Sequence, residues 1–306
     1  MIRTKVTTLV FFCFVAILLA TGCATTKKIS KEIAKDITGR GGSLKKKIAL
    51  LPSSNKMGYE ADPLAQLARP QFKSSLEKSC DDLLITDSEQ TQNLLAEVPR
   101  FSSGRIDNLA LAEVGKALGL NVVLEQTLSA LKCVTDKRGI WGFRDTCMLV
   151  QLSVSVRGYD ISTGAILFEE VVHDEVEVSE NDWQSIMQRG EYNEEVAHQL
   201  LAKIMPEACE RVCESIGNEH WKGYITSVTG STFGLTAGRD VGLAEGDELE
   251  VFGMGESIRC NAGQSYLVSG PKIGELRITK VKENWAEATG DLESEPQKIS
   301  HVKFKQ

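Results

Sequence analysis

The sequence predicts an α/β (α+β) domain, in which helices cover one sheet, followed by a small all-β domain shaped like a barrel. Strand-like and helix-like segments alternate as far as Gly217. The segment "CMLVQLSVSVRGYD" alternates apolar and polar side chains, which is typical of a strand with one buried face. After Gly217, short strands punctuated by glycine replace the helical period. We therefore assign residues 48–217 to the first domain and residues 218–306 to the second.

The elements of the first domain follow from local signals. A short apolar run stops at Pro52, which indicates a buried strand. Ser88 stands as the N-cap of a helix, and Gly119 ends the next helix. Pro70 falls where the first turn of a helix tolerates proline, and Pro206 is expected to interrupt the last helix. The predicted strands are "KKIALLP", "DDLLITD", "NVVLEQTLSAL", "CMLVQLSVSVRGYD" and "AILFEEVVHDEVEV".

The second domain is expected to turn tightly before one of its strands, in "DVGLAEGDELEVF". Gly242 and Gly246 allow positive φ angles there, and the Asp247 side chain can accept hydrogen bonds from the backbone of the turn. Turn signals this closely spaced, without a helical period, predict a small barrel.

The first 22 residues have the layout of a secretory signal: a basic tip, then an apolar run shorter than the roughly 20 residues that span a bilayer. The signal ends in "LLATGCATTKK", in which Ala-Thr-Gly-Cys resembles a bacterial lipobox. That resemblance implies that Cys23 receives a diacylglycerol and becomes the first residue, and that Ala24 after it favours the outer membrane. The alternative is a plain signal peptide followed by an unrelated cysteine.

Residues 23–47 are rich in lysine and glycine, so we interpret them as a flexible tether between the lipid and the first domain. Isoleucines at helical spacing leave a second interpretation open, in which a short basic helix rests on anionic lipid.

Composition and motifs limit the function classes. The net charge is −7, which argues against binding to nucleic acid. The sequence contains no phosphate-binding glycine loop and none of the common hydrolase or metalloprotease motifs, so we predict no enzyme activity, no cofactor and no metal. His173 and Asp174 could form half of an acid–base pair, but the acidic residues around them indicate a solvated edge.

Six cysteines remain after Cys23, in a compartment where disulfides persist. Cys133 and Cys147 flank "VTDKRGIWGFRDT" between two strand-like runs, and we predict a disulfide between them across a hairpin. Cys209 and Cys213 are four residues apart on a helix, where a mutual bond is strained, so one of them is expected to reach Cys80. A zinc site is the alternative, but no histidine has the required spacing.

Residues of about 46–215 resemble the CsgG family of curli secretion and its structural relatives, including the LpoB activators of penicillin-binding proteins. The resemblance implies a CsgG/TolB-N-like sheet-and-helix fold. It is carried by "IALLP", "QNLLAE", "AEVGKALGLNVVLEQTLSAL" and, above all, the hairpin "VRGYDISTGAILFEEV". The hairpin residues that match are Val156, Arg157, Asp160, Thr163, Gly164, Ile166 and Leu167, and they shape turns and cores.

Residues of about 221–290 are similar to the C-terminal domain of the flagellar assembly protein FlgT, through "GYITSVTGSTFGLTAGRDVGLAEGDELEVF" and "GELRITKVKENWAEA". The same order of modules occurs in FlgT, where a CsgG-like region precedes this domain.

One departure from the CsgG family concerns pore formation. The secretion channel inserts two long amphipathic hairpins, whereas this chain has only "KCVTDKRGIWGFRDTC" and "HDEVEVSENDWQ" at those points. A pore strand needs about 9–11 residues with lipid-facing apolar positions, so a channel subunit is the weakest interpretation.

Two hypotheses about function remain, one a scaffold protein and the other a glycan-binding protein. The first is a lipid-anchored, non-enzymatic scaffold that docks envelope or periplasmic proteins and could form a homo-oligomer. Trp141 and Phe143 in "GIWGF" would then be a partner-docking tip, unless they tuck against the domain's own helices. The second is a peptidoglycan- or glycan-binding accessory protein, in which folding would bring Trp221, Tyr224 and Trp285 together.

Overall fold

The computed structural model describes residues 44–52, 54–55, 63–129, 131–140, 143–189, 193–260, 264–292 and 299–305. Cys23, the signal segment and most of the tether lie outside these residues, so their predicted roles stay predictions. Residues 44–306 form one compact unit with a mixed α/β, sheet-rich fold. None of the helices in the described ranges is long and apolar enough to cross a membrane.

A first sheet of seven strands is built from residues 46–177, so it begins at Lys46, two residues inside the segment predicted as a tether. Its strand order is β3-β1-β4-β6-β5, with β2 also pairing with β4 and β7 with β6. The strands β1, β3 and β4 run parallel, and β6 is antiparallel to β4, β5 and β7. Their bounds are β1 (Lys46–Leu50), β2 (Ser54–Asn55), β3 (Leu83–Ile85), β4 (Val122–Leu128), β5 (Lys132–Ile140), β6 (Phe143–Asp160) and β7 (Ile166–Glu177).

Helices cover both faces of this sheet, so β1 is buried along its whole length. Ile48 and Leu50 share one core with α1 and α5, whereas Ala49 and Leu51 share another with α2 and α3. The helices are α1 (Pro63–Ser79), α2 (Glu89–Ala96), α3 (Asn108–Ala117), α4 (Glu180–Arg189) and α5 (Glu194–Gly217).

Several predicted signals of this region are confirmed. The Ser88 side chain accepts a hydrogen bond from the Thr91 backbone at the start of α2. Gly119 follows α3 with a φ of 72°, and Gly164 turns between β6 and β7 with a φ of 73°.

The two predicted effects of proline are wrong. Pro70 lies inside α1, and α5 continues through Pro206. A proline inside a helix removes one backbone hydrogen bond at a cost of about 3 kcal/mol. The buried faces on both sides of Pro206, among them Met205 and Ala208, offset that cost because they pack into the core.

A second sheet of seven antiparallel strands has the order β8-β14-β11-β12-β13-β10-β9. Only Tyr224 separates β8 from β9, so the two ends of the sheet are held together by the chain and the sheet is nearly closed. The strands are β8 (Lys222–Gly223), β9 (Ile225–Thr229), β10 (Thr232–Leu235), β11 (Glu248–Arg259), β12 (Ser265–Val281), β13 (Ala286–Thr289) and β14 (Ile299–Phe304).

The predicted turn before β11 is confirmed in its details. Gly242 and Gly246 have φ angles of 98° and 91°. The Asp247 carboxylate accepts a hydrogen bond from the Ala244 backbone at 2.8 Å. The second sheet encloses its own apolar core, which includes Trp221, Phe233, Leu249, Val251, Leu276, Ile278 and Val302.

Candidate functional site

The two sheets meet at a buried polar junction centred on Asp160, at the end of β6, and Lys222, in β8. The Lys222 ammonium lies 2.8 Å from the Asp160 carboxylate, and Asp160 is only 4% exposed. The hydroxyls of Ser162 and Thr163 each donate to the same carboxylate at 2.7 Å. Burial alone would raise the pKa of Asp160, but the Lys222 charge and these hydrogen bonds lower it instead. The carboxylate therefore stays charged and serves to hold the turn and β8 together.

Asn121 and Lys47 extend the junction along the start of the first sheet. The Asn121 side chain accepts a hydrogen bond from the Lys47 backbone at 3.0 Å and donates to the Lys222 carbonyl at 2.7 Å. The Lys47 ammonium contacts the Asp240 carboxylate at 2.6 Å and donates to the Thr236 carbonyl at 3.3 Å. The two sheets are thus linked by the side chains of Lys47 and Asn121 from the first sheet and of Lys222 from the second.

Two further ionisable side chains lie close to these charges: His301 of β14, and Tyr224 between β8 and β9. Burial, together with the positive charge of Lys222, lowers the pKa of His301 to about 4. Its ring stacks on Phe252 with centroids 5.2 Å apart. Burial raises the pKa of Tyr224 well above its ordinary value, and the negative charge of Asp160 raises it further. His301 is neutral at pH 7, so neither side chain brings a charge into the junction.

The acidic residues of β7 lie in an exposed network of ion pairs on the first sheet. Arg157 contacts Glu169 at 2.8 Å, and Lys203 of α5 lies 3.8 Å from Asp174. This arrangement fits the solvated acidic edge that the sequence indicated for the His173–Asp174 region, because these carboxylates are exposed and charge-paired.

The strands β5 and β6 form a hairpin that extends away from the core. Its β5 residues from 135 to 140 are all exposed, and Ile140 at the end of β5 is 83% exposed. Phe143 begins β6 and pairs with Ile140 in the backbone ladder. Trp141 lies outside the described residues, so the docking role of Trp141 and Phe143 stays a prediction.

The predicted disulfide between Cys133 and Cys147 is wrong, because both are free thiols. Cys133 is opposite Val150 in the register of β5 and β6, and residues directly opposite share one face of a sheet. Cys147 is three residues from Val150 on the same strand, so it faces the other side. No rotation of the side chains brings two sulfurs together through a sheet.

The other cysteine prediction is confirmed. Cys80, just after α1, is bonded to Cys213 of α5, with their Cα atoms 5.6 Å apart. Cys209 remains a buried free thiol, and burial raises its pKa to about 12, so it is not a nucleophile at neutral pH. Among the described residues, no group of histidine, cysteine or acidic side chains has the arrangement of a metal site.

The described residues line at least two open grooves on the surface. One, of about 520 Å³, runs between the base of the β5–β6 hairpin and α4, and is lined by Cys133, Gln151, Ile186 and Met187 among others. The other, of about 470 Å³, lies on the outer face of the second sheet beside Trp285.

The three aromatic residues of the glycan hypothesis are not brought together. Trp221 belongs to the core of the second sheet, and Tyr224 packs into the core under α2 and α3. Trp285 alone of the three is partly exposed. The sequence could not separate them because none of the three lies in a strand, so no alternation of side chains indicates which of them is buried.

No protein-family model matches the chain, and no curated protein matches it. Among solved structures, the hypothetical protein CT253 from Chlamydia trachomatis is 16% identical over 57% of this chain and 100% of that chain, with a TM-score of 0.37. Lipoprotein GNA1162 from Neisseria meningitidis is 14% identical over 57% of this chain and 99% of that chain, with a TM-score of 0.31. TolB from Acinetobacter baumannii is 13% identical over 79% of this chain and 57% of that chain, with a TM-score of 0.28. Similarities this weak carry no argument about fold or function, and the resemblance to the CsgG and FlgT families stays a prediction.

Proposed function

We propose that this protein is a non-enzymatic assembly factor, held by a lipid on Cys23 at the periplasmic face of the outer membrane. In that position it docks proteins of an envelope machine for secretion, flagellar-ring assembly or cell-wall synthesis. The CsgG-like and FlgT-like sequence motifs support this class of role, because the members of those families that they resemble are envelope assembly proteins.

The observation that carries the proposal is the polar junction between the two sheets. A scaffold must keep its contact surfaces at a fixed separation, and buried, hydrogen-bonded ion pairs give an arrangement its specificity. Asp160 and Lys222 supply such a pair, and Lys47 with Asp240 supplies a second. The β5–β6 hairpin, with Ile140 exposed at its end, is the surface that we assign to partner docking.

The anchor is tested by replacing Cys23 with serine and separating soluble from membrane fractions. We expect Cys23→Ser to release the protein from the membrane, because acyl chains supply the binding free energy at about 0.8 kcal/mol per buried CH₂. Cys260→Ser is the matched control, since Cys260 is an exposed free thiol. A Cys23→Ser protein that stays in the outer membrane would contradict lipid anchoring.

The docking surface is tested by placing a photoreactive amino acid at position 140 and identifying crosslinked proteins from intact envelopes. We expect crosslinks to secretion, flagellar basal-body or wall-synthesis proteins. The same amino acid at position 171 is the control, because Val171 is also exposed but lies on β7. Equal crosslinking from both positions, or none from position 140, would refute the assignment of the hairpin.

A further inference from the structure

The groove beside Trp285 lies across three neighbouring strands of the second sheet, β9, β10 and β13. Its volume of about 470 Å³ falls within the range of roughly 300–1,000 Å³ that is typical of small-molecule sites. Side-chain hydroxyls, one carboxylate and one indole line it: Thr226, Ser227, Thr229, Thr232, Glu287 and Trp285.

Irregular strand pairing turns extra hydroxyls toward this groove. In the register of β9 and β10, Ser227 is opposite Gly234 and Ile225 is opposite Leu235, so Thr226 is an extra residue. A bulge of this kind breaks the alternation of side chains, and such bulges are common next to functional sites. As a result, Thr226 and Ser227 are both exposed although they are consecutive in a strand.

Gly234 lies at the floor of the groove and leaves space there because it has no side chain. A Cβ atom at this position would collide with the Ser227 hydroxyl, so a larger residue would displace that hydroxyl. A glycine inside a strand often marks such a close approach. The hydroxyls of Ser227, Thr229 and Thr232 make no hydrogen bond to the described residues, and they are therefore available to a ligand.

Trp285 forms one wall of the groove and is 38% exposed. The Lys280 ammonium lies 5.3 Å from the centroid of the indole and 3.2 Å from the Glu287 carboxylate. The lysine orients the aromatic side chain through a cation–π contact and balances the charge of the acid. Lys280 thus holds both the Trp285 indole and the Glu287 carboxylate in place.

We propose that this groove binds a pyranose unit of a glycan. The apolar face of a sugar ring would stack on the exposed indole, since aromatic rings offer a large rigid apolar surface. The sugar hydroxyls would exchange hydrogen bonds with Ser227, Thr229 and Thr232, and would donate to the Glu287 carboxylate. A phosphate ligand is disfavoured, because Lys280 is already paired with Glu287. This binding activity goes beyond the scaffold role and does not depend on it.

The test is saturation-transfer NMR and calorimetric titration with a soluble tetramer of N-acetylglucosamine, using the chain from residue 44 onward beside the full mature protein. We expect both forms to bind the tetramer, and Trp285→Ala to weaken binding at least about tenfold. Trp285→Phe should retain part of the affinity, because it keeps a smaller aromatic surface. Gly234→Val should also weaken binding, since it fills the floor.

Met187→Ala is the matched control, because Met187 is an exposed apolar residue that lines the other groove. We expect this variant to bind the tetramer as the unaltered protein does. Circular dichroism spectra establish whether each variant is folded, and an unfolded Trp285→Ala leaves Trp285→Phe and Thr232→Val as the deciding variants. Absence of saturation transfer from the unaltered protein to the tetramer, or equal affinity of folded groove variants, would overturn the proposal. Either result would leave the membrane and crosslinking predictions intact.

Discussion

The two sheets of this protein are stabilised in different ways. The first buries both of its faces under helices, and the Cys80–Cys213 bond ties α1 to α5 on one of them. The second nearly closes on itself and is covered by no α-helix of its own among the described residues. Packing against helices produces the apolar core of the first half, and closure of the sheet produces that of the second. The two halves therefore depend on different contacts. Contacts between the two halves include the Asp160–Lys222 ion pair and the packing of Tyr224 under α2 and α3.

Breaking the Asp160–Lys222 pair is expected to have the largest effect, because it leaves a buried charge between the two sheets without its partner. Lys222→Met should lower the free energy of unfolding by about 3–5 kcal/mol, since it leaves Asp160 charged, buried and unpaired. Urea denaturation measures the change. Asp160→Asn combined with Lys222→Met should cost less than the sum of the single changes, and strict additivity would mean that the two residues act independently.

Removing the disulfide tests the first sheet alone. Cys80→Ala with Cys213→Ala should lower the free energy of unfolding by about 2–4 kcal/mol, because the bond closes a long loop that spans 133 residues in sequence. A chemical reductant should destabilise the unaltered protein by a similar amount and leave this variant unchanged. Sensitivity of the variant to reductant would show that another thiol pair contributes.

The pH dependence of the free energy of unfolding tests the second sheet, because His301 is buried there. Its folded pKa is lowered to about 4, whereas the unfolded value is about 6.5. Between these values the unfolded chain binds more protons, so stability falls as the pH is lowered through this window. The loss from pH 7 to about pH 5 should be roughly 2 kcal/mol, and His301→Gln should remove most of it.

Asp160 is expected to affect the free energy of unfolding in a lower pH range than His301 does. Its folded pKa is lowered, so its contribution is present above the unfolded value of about 3.9 and is lost as the pH falls through the folded pKa. A His301→Gln protein that still loses stability between pH 7 and about pH 5 would contradict the assignment of that window to His301.

The smallest effect is expected at the outer edge of the first sheet. Lys203→Ala removes an exposed ion pair with Asp174, whose side chains are 51% and 38% accessible. Exposed pairs contribute about 0–1 kcal/mol, because water and salt screen them. Thermal unfolding should barely change, and a loss as large as that of Lys222→Met would erase the distinction between buried and exposed pairs.

The signals that succeeded in the sequence are local ones. Ser88, Gly119 and Gly242 each constrain the backbone within three or four residues of themselves, and the structure confirms their predicted roles. The proline prediction failed at Pro206 because tertiary packing supplies more free energy than the local break removes.

The junction and the groove could not be predicted from local patterns. Asp160 and Lys222 are 62 residues apart, and Lys47 contacts Thr236 across 189 residues. The alternation of β6 predicted a strand with a buried face, but not the partner of Asp160 across the junction. The error at Cys133 and Cys147 has the same origin, because their positions depend on the register of two strands, which flanking a loop does not determine.

The hydrogen bonds between the sheets have an evolutionary consequence. Lys47, Asn121 and Asn108 donate to the carbonyls of Thr236, Lys222 and Ser265, which are main-chain acceptors. A main-chain carbonyl is present whatever side chain its residue carries. Side chains can therefore change at Thr236 and Ser265 without deleting the acceptors, whereas Lys222 also holds Asp160 through its side chain. Surface side chains of the second sheet can in this way change during evolution while these hydrogen bonds to the first sheet are kept.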